Sequence, residues 1–491
     1  MQFATLIGGQ KVSSRAFVGV QNPWRPRLPP GSTLTSAQLA EQLVGMVGEA
    51  SAEQVEAALA TGHAAEALGA QLTAYNRRQI LENLHVLLTA RAEAFAGVIC
   101  AEAGKPIDLA RTEVQRALAT VRASIEAIGQ DVSVIDAGIV PNALGRVAHL
   151  QRFARGLVSA ITPFNFPLNL VMHKLAPAIA AGCPIVIKPS PQAPISAFLL
   201  ADLALEAGLP GPMISVVLPD LRDLQPLISD SRVKVLSFTG SAEVGWRLKA
   251  QAPRQHVILE LGGNAAAIVC PDAALADVIP AIATGAFAYA GQSCISVQRV
   301  FVDLDRLDDF LGQLGDHVAS RVAVGDPAQP GVICGPMISE AAAARVDGWL
   351  DAYAAAGEPI LLRGAREGTC LAPAIVQFAG TSRQPLIAEE VFGPVVAICG
   401  YERLDDALRC ANDSRFGLQA GIFTNESHTL WRAFRELQVG ALIHNDVPTF
   451  RVDHLPYGGV KDSGIGREGP RFAIEEFTEP RMLVLKQDGT T

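Results

Sequence analysis

Between Leu157 and Gly262 the chain alternates short, nearly unbroken runs of Val, Ile and Leu with longer segments of helical spacing. The runs are LVSAIT, PIVIKPS, MISVVL, VKVLSFTG and HVILELGG, and the segments between them are LNLVMHKLAPAIAAG, PISAFLLADLALEAG, LRDLQPLIS and SAEVGWRLKAQA. A strand that is apolar on both faces must be covered on both faces, which a parallel sheet clad by helices provides. The alternation therefore predicts a doubly wound α/β layer of the nucleotide-binding type, with LRDLQPLIS among its helices.

The rest of the chain is read around that block. From Ser51 to about Gly129 the apolar spacing is helical, and residues 132 to 153 alternate as a pair of strands would. A second series of helices and strands runs from about Asn264 to Val439, and EPRMLVLK reads as one terminal strand. Four prolines in PWRPRLPPGS remove donors and fix φ, so that stretch is expected to be a surface excursion. No function is read into the segment around residues 28 to 44.

Composition narrows the function. Forty Lys and Arg against 49 Asp and Glu leave a net charge of −9, which offers no electrostatic footprint for a nucleic-acid backbone. Eight cysteines form no C-x-x-C pair and read as reduced thiols of a cytoplasmic protein, with no metal site implied. The opening MQFATLIGGQKVSS lacks the pattern of a secretory signal. The most apolar run, Gly156 to Met172, contains Pro163, Asn165, Pro167 and Asn169, so no membrane partner is expected.

Three residues stand out chemically. Cys294 follows a Gly-Gln-Ser turn in AYAGQSCISVQR, where backbone donors can favour a thiolate; Cys183, Cys270, Cys334, Cys399 and Cys410 sit among apolar residues and read as small buried hydrophobes. Glu260 closes the buried run HVILELGGN, and burial there raises a carboxyl pKa, which suits a general base; a salt-bridged strand cap fits that stretch equally well. Asn165, between Pro163 and Pro167, can donate its amide to an oxyanion beside the Cys294 N–H, although a self-bonded turn is the commoner use of Asn. For a cofactor, Gly240 and Ser241 open a strand-to-helix turn with G-x-x-x-x-G spacing to Gly245, and Lys188 closes PIVIKPS within reach of a ribose or phosphate.

The blocks ITPFNFPLN, VIKPS, SFTGSAEVG, LELGGN, GQSC, EEVFGPV and PYGGVKDSGIGREG, in this order and spacing, resemble the aldehyde dehydrogenase superfamily over nearly the whole chain. Within it, NDVPTFRVDHLPYGGVKDSG and AYAGQSCISVQR resemble the bacterial branch near lactaldehyde dehydrogenases. The resemblance implies that Cys294 adds to an aldehyde, that Asn165 and the Cys294 N–H hold the oxyanion, and that Glu260 activates the water that releases the acid. It implies NAD or NADP as hydride acceptor, with Phe164, Lys188, Ser190, Gly240, Ser241, Gly245, Glu390 and Phe392 as its contacts. It also implies an NAD(P)-binding domain from residues 1–131 and 153–262, a catalytic domain from 263–462, and an oligomerisation arm from 132–152 and 476–491 that makes a homodimer or homotetramer.

Departures from the pattern matter too. Pro191 stands where many NAD-preferring members carry Glu, which removes the repulsion of a 2′-phosphate and leads us to expect that NADP is accepted. Ser293, small and neutral, disfavours a phosphorylated aldehyde. Arg116, Arg451 and His454 can bind a carboxylate or hydroxyl, so a small hydroxyaldehyde or semialdehyde is the expected substrate, with ordinary salt bridging as the competing use of these side chains. A coenzyme A-acylating enzyme and a non-catalytic binding protein are the alternatives.

Overall fold

A computed structural model of the chain describes residues 1–14, 16–25, 42–130 and 132–486; the 28–44 segment lies outside the described residues as far as residue 41. The five apolar runs form the strands Leu157–Ile161, Ile185–Lys188, Ile214–Val216, Val233–Thr239 and His256–Glu260, all mutually parallel. Across the sheet they stand as fifth, fourth, first, second, third in chain order. Gly464–Ile465 is added antiparallel at one edge and the hairpin Thr5–Ile7, Gln10–Val12 at the other, giving eight strands. The order reverses between Leu157–Ile161 and Val233–Thr239, and such a reversal opens a crevice at the carboxyl ends of the strands.

The helices that cover this sheet start where the sequence supplies caps. Ser51 with Gln54, and Thr73 with Asn76, form reciprocal capping boxes at the heads of Ala52–Ala64 and Ala74–Ala90. Helices Ala74–Ala90 and Ile107–Ala127 pack on Asn169–Ala181, in which every residue is buried, and Ala92–Ala103 packs on Ile107–Ala127. Leu81, Leu84, Leu88, Ile99, Val121 and Leu175 are fully excluded from solvent, each contributing about 1.5–3 kcal/mol. LRDLQPLIS does not form one helix: a 3-10 turn, Leu221–Asp223, precedes a single turn, Pro226–Ser229. The reason is Pro226, which is tolerated at the first position of a helix but not in its interior.

A second sheet has the order Ile360–Arg363, Ala374–Gln377, Val395–Tyr401, Val297–Asp303, Ala265–Val269, Gln419–Phe423, Ala441–His444. It is parallel except for Ile360–Arg363. A third, antiparallel sheet joins Val132–Asp136, Arg146–Ala154 and the terminal strand Thr478–Lys486. It leaves Val134, Ile135, Met482, Leu483 and Leu485 exposed. The architecture is thus two α/β sheets and a strand arm, as expected. Among the described residues no single helix is long and apolar enough to cross a membrane.

Candidate active site

Loops at the carboxyl ends of the first sheet and loops that lead into the strands of the second enclose a cavity of about 390 Å³, walled on one side by Phe164, Asn165, Gly240, Ser241 and Glu260 and on the other by Cys294, Glu390, Phe392 and Tyr457. Arg116 and Arg451 also line it; Lys188, Ser190, Gly245 and His454 do not.

Cys294 reaches the cavity through a sharp turn. Helix Leu275–Phe287 ends in a turn where Tyr289, Ala290 and Gly291 all take left-handed φ, at 54°, 53° and 67°. Such backbone at non-glycine residues costs about 1–3 kcal/mol each and persists only where surroundings hold it. Here the Tyr289 hydroxyl donates to the Ala103 carbonyl at 2.9 Å, and the buried Gln292 side chain donates to the Tyr289 and Pro336 carbonyls, both at 3.2 Å, and accepts from the Ile338 N–H at 2.8 Å. A Cβ on Gly291 would lie 2.2 Å from the Gly393 carbonyl oxygen, so only glycine fits. The thiol that results lies 2.9 Å from the Tyr457 hydroxyl. Burial pushes it up to about 11, with the Tyr457 hydrogen bond and the Arg451 charge acting the other way. The turn alone does not produce the low-pKa thiol that the sequence suggested.

Asn165 follows the strand Leu157–Ile161 and donates one amide hydrogen to the Gln292 carbonyl at 3.1 Å, which ties it to the turn that carries Cys294. Its loop is braced by Glu113, which accepts from the Leu168 and Asn169 N–H groups at 2.9 and 3.1 Å and pairs with the buried Lys105. The Cys294 N–H has no hydrogen-bond acceptor among the described residues. Glu260 is the last residue of its strand and is 3% exposed; neither carboxyl oxygen has a partner among the described residues. Burial first, and the charge of Glu468 second, raise it well above the usual carboxylate range.

Behind the cavity runs a buried ionic chain. Lys174 bonds Ser237 at 2.9 Å and Glu468 at 3.1 Å; Glu468 binds Arg451 at 3.1 Å; and the Arg451 guanidinium lies 3.6 Å from the centre of the Tyr457 ring. Asp453 collects His173, Arg116 and Asn169 at 2.8, 2.9 and 3.0 Å. Arg116 and Arg451 are therefore salt-bridged and cavity-lining at once, while His454 is exposed and apart. Tyr457, Lys174 and Glu468 received no role from the sequence. A lysine in the apolar LNLVMHKLAPAIAAG was the one available signal, because a buried lysine demands a partner.

On the cofactor side the picture is mixed. The Gly240 N–H is not free, because it donates to the Glu260 carbonyl at 3.0 Å. Ser241 heads helix Ala242–Gln251 without a side-chain cap, which leaves first-turn N–H groups open to an anion. Gly245 is buried inside that helix; a Cβ there would lie 2.4 Å from the Leu261 side chain, so the glycine serves close packing of helix on strand. Lys188 has no side-chain partner among the described residues, and burial pulls it down to about 8. The Ser190 hydroxyl accepts from the Gln192 N–H at 3.3 Å. Glu390, raised to about 7 by burial, accepts from the Gly263 N–H at 3.0 Å. Phe392, at φ 47°, meets Phe164 edge-on at 5.9 Å. An open helix N-terminus, a partly buried ammonium with no acceptor among the described residues and a carboxylate at the cavity wall suit a dinucleotide with a pyrophosphate and two riboses.

A half-buried thiol, an amide donor fixed beside it and a carboxyl unpaired among the described residues, all in one cavity, are the parts of acyl transfer through a covalent intermediate. Residues 33–483 match the model of the aldehyde dehydrogenase family. The chain is 40% identical over 450 residues to the 3-sulfolactaldehyde dehydrogenase of Priestia aryabhattai, covering 91% of this chain and 93% of that protein. It superposes with a TM-score of 0.94 and 34% identity on aldehyde dehydrogenase 21 of Physcomitrella patens in complex with the reaction product succinate, covering 100% and 99% of the two chains. With the glyceraldehyde-3-phosphate dehydrogenase of Methanocaldococcus jannaschii complexed with NADP the TM-score is 0.88 at 31% identity, covering 95% and 98%.

Proposed function

The chain belongs to the aldehyde dehydrogenase family, and on that premise we propose that it oxidises a small, acid-bearing aldehyde to the carboxylic acid with NAD or NADP as oxidant. The observation that carries the proposal is the meeting of Cys294, Asn165 and the unpartnered carboxyl of Glu260 in one cavity.

In this reading the Cys294 sulfur attacks the aldehyde carbon, and the free amide hydrogen of Asn165 with the Cys294 N–H receives the oxyanion. A dinucleotide bound here would supply the acceptor for the hydride that leaves that carbon. Ser241 and the helix N-terminus behind it would hold the pyrophosphate, Lys188 and Ser190 the adenosine ribose, and Glu390 with Phe392 and Phe164 the nicotinamide end. Gly240 and Gly245 would shape that turn rather than bond to the ligand. Glu260 takes a proton from water attacking the thioester; its raised pKa makes it a stronger base than an exposed carboxylate once ionised. Pro191, exposed and without charge, leaves room for a 2′-phosphate, so NADP is accepted.

The substrate reading rests on Arg116 and Arg451. Both line the cavity, and the Arg451 Nε is a buried donor without an acceptor among the described residues, which suits the acid group of a semialdehyde. The sulfonate or carboxylate named in two relatives supports the same class. We read residues 1–131 and 153–262 as the cofactor domain, 263–462 as the catalytic domain, and 132–152 with 476–491 as an arm that pairs subunits, on the strength of its exposed apolar strands. The eight free thiols support a cytoplasmic, reducing location.

The test is reduced-cofactor absorbance with purified protein, using succinate semialdehyde, lactaldehyde and butyraldehyde, with each cofactor and with or without coenzyme A. We expect kcat/KM for the anionic aldehyde to exceed that for butyraldehyde, no coenzyme A requirement, and no turnover in Cys294→Ala. Turnover that needs coenzyme A, or that survives in Cys294→Ala, would refute it.

A further inference from the structure

The geometry points to Tyr457 as a catalytic residue: its hydroxyl, backed by Arg451 stacked on its ring, donates to the Cys294 sulfur and stabilises the thiolate that attacks the aldehyde. This deepens the proposed function, since it rests on Cys294 as the nucleophile.

The sulfur and the phenol oxygen are 2.9 Å apart, inside hydrogen-bonding range even for a thiol. Burial raises the phenol well above its usual value, so the hydroxyl keeps its proton across the working pH range and stays a donor. The donor then has one acceptor to serve, the sulfur. The charges facing this pair come from several elements. Glu260 and Glu390 stand on the cavity walls and disfavour a thiolate, and Arg451 favours it. Burial and the Glu468 charge raise Glu260, which weakens its opposition to the thiolate.

The ionic chain behind the ring decides the balance. Lys174, Arg451 and Arg116 are three cations, and Glu468 and Asp453, both held low by their partners, are two anions. One positive charge is left uncompensated, and the guanidinium nearest the sulfur is the one 3.6 Å from the Tyr457 ring centre. A cation over a phenol face withdraws charge from the ring and strengthens the O–H as a donor. A thiolate at Cys294 neutralises the cluster. A phenylalanine at 457 would keep the ring, the packing and the stacked guanidinium and would lose only the donor.

The experiment follows ionisation of the sulfur without any aldehyde. Tyr457→Phe and the parent protein, both free of cofactor, are alkylated with iodoacetamide from pH 6 to 10, and labelling of Cys294 is read by peptide mass. Loss of a hydrogen bond to a charged acceptor should slow Cys294 labelling at pH 7 by roughly tenfold to a hundredfold and move its pH profile up by about one to two units. The acid limb of kcat/KM should move up with it, with kcat/KM approaching the parent at high pH. Superimposable labelling profiles would overturn the proposal. If the phenylalanine variant does not fold, replacing the five tyrosines of the chain by 3-fluorotyrosine makes the phenol a stronger donor. Faster Cys294 labelling at pH 7 is then expected, and an unchanged rate overturns the assignment. Labelling requires no substrate, so a wrong substrate class leaves this result intact, and a negative labelling result leaves the substrate class intact.

Discussion

Glu113→Gln is the substitution that best tests how the site is braced. The carboxylate accepts two backbone N–H groups at the head of helix Asn169–Ala181 and pairs with Lys105, whose ammonium also sits 3.6 Å from the Phe166 ring centre. Glutamine keeps the shape and one acceptor but not the charge. Two charge-assisted hydrogen bonds become neutral ones, at about 1 kcal/mol each. Lys105 is left without its anion. Burial already holds it down at about 8, so at pH 7 it can shed its proton at a further cost of about 1.4 kcal/mol. The loss should therefore be about 3 kcal/mol, at the low end of what breaking a buried pair costs.

The sign with pH is distinctive. In the variant the buried amine is neutral while the unfolded one binds a proton up to about pH 10, so stability rises with pH and the deficit grows from pH 8 down to pH 6. An unfolding entropy of ~2.1 cal/mol/K per residue over 491 residues converts the loss to a fall in Tm of about 3 °C if the chain unfolds as one unit. Urea unfolding and calorimetry at pH 6, 7 and 8 measure both quantities. Adding Lys105→Met should recover much of the loss, because the pair is then replaced rather than broken. A deficit under about 1 kcal/mol that is flat with pH, or strictly additive losses in the double variant, would refute the reasoning.

Glu260→Gln should keep a burst of one reduced cofactor per subunit while steady-state kcat falls by about 10²–10⁴-fold; an equal loss of burst and turnover would remove Glu260 from deacylation. Because Glu260 is raised, kcat of the parent should fall with acidification at a pH above the usual ~4.3 of a glutamate, read from a pH–rate profile. The kcat/KM ratio of NAD to NADP should stay within ~10³, about 4 kcal/mol; a larger NAD preference contradicts the role given to Pro191. Leu483→Lys, on the exposed face of the terminal strand, should shift the protein to a smaller species in size-exclusion chromatography, and an unchanged elution volume would count against the arm as an interface.

The five strands of the first sheet were legible because burial on both faces forces a continuous apolar run, a pattern that polar surface residues cannot dilute. Cys294, Glu260 and Asn165 stood out for a related reason: a thiol, a carboxylate and an amide at the ends of such runs have no structural need to be there. What one-dimensional reading could not supply was pairing. Lys174 and Glu468 are 294 positions apart, and nothing local tells either that the other exists. Gly240 looked like a free donor because its acceptor, the Glu260 carbonyl, belongs to a neighbouring strand. His454 looked equivalent to Arg451 in TFRVDH, yet a bend between them buries one and exposes the other. The Tyr457 hydroxyl was hidden in a block recognisable as a whole but silent about individual atoms.

The edge strand Gly464–Ile465, which zips onto His256–Glu260, lies between Tyr457 and Glu468 in the chain. A chain truncated before Tyr457 holds its nucleophile and most of both sheets, yet lacks the phenol beside the sulfur and the carboxylate behind it. The strand that completes the edge of the first sheet is thus flanked by two of the groups the sulfur depends on, so edge closure and chemical competence are tied to one short stretch of chain.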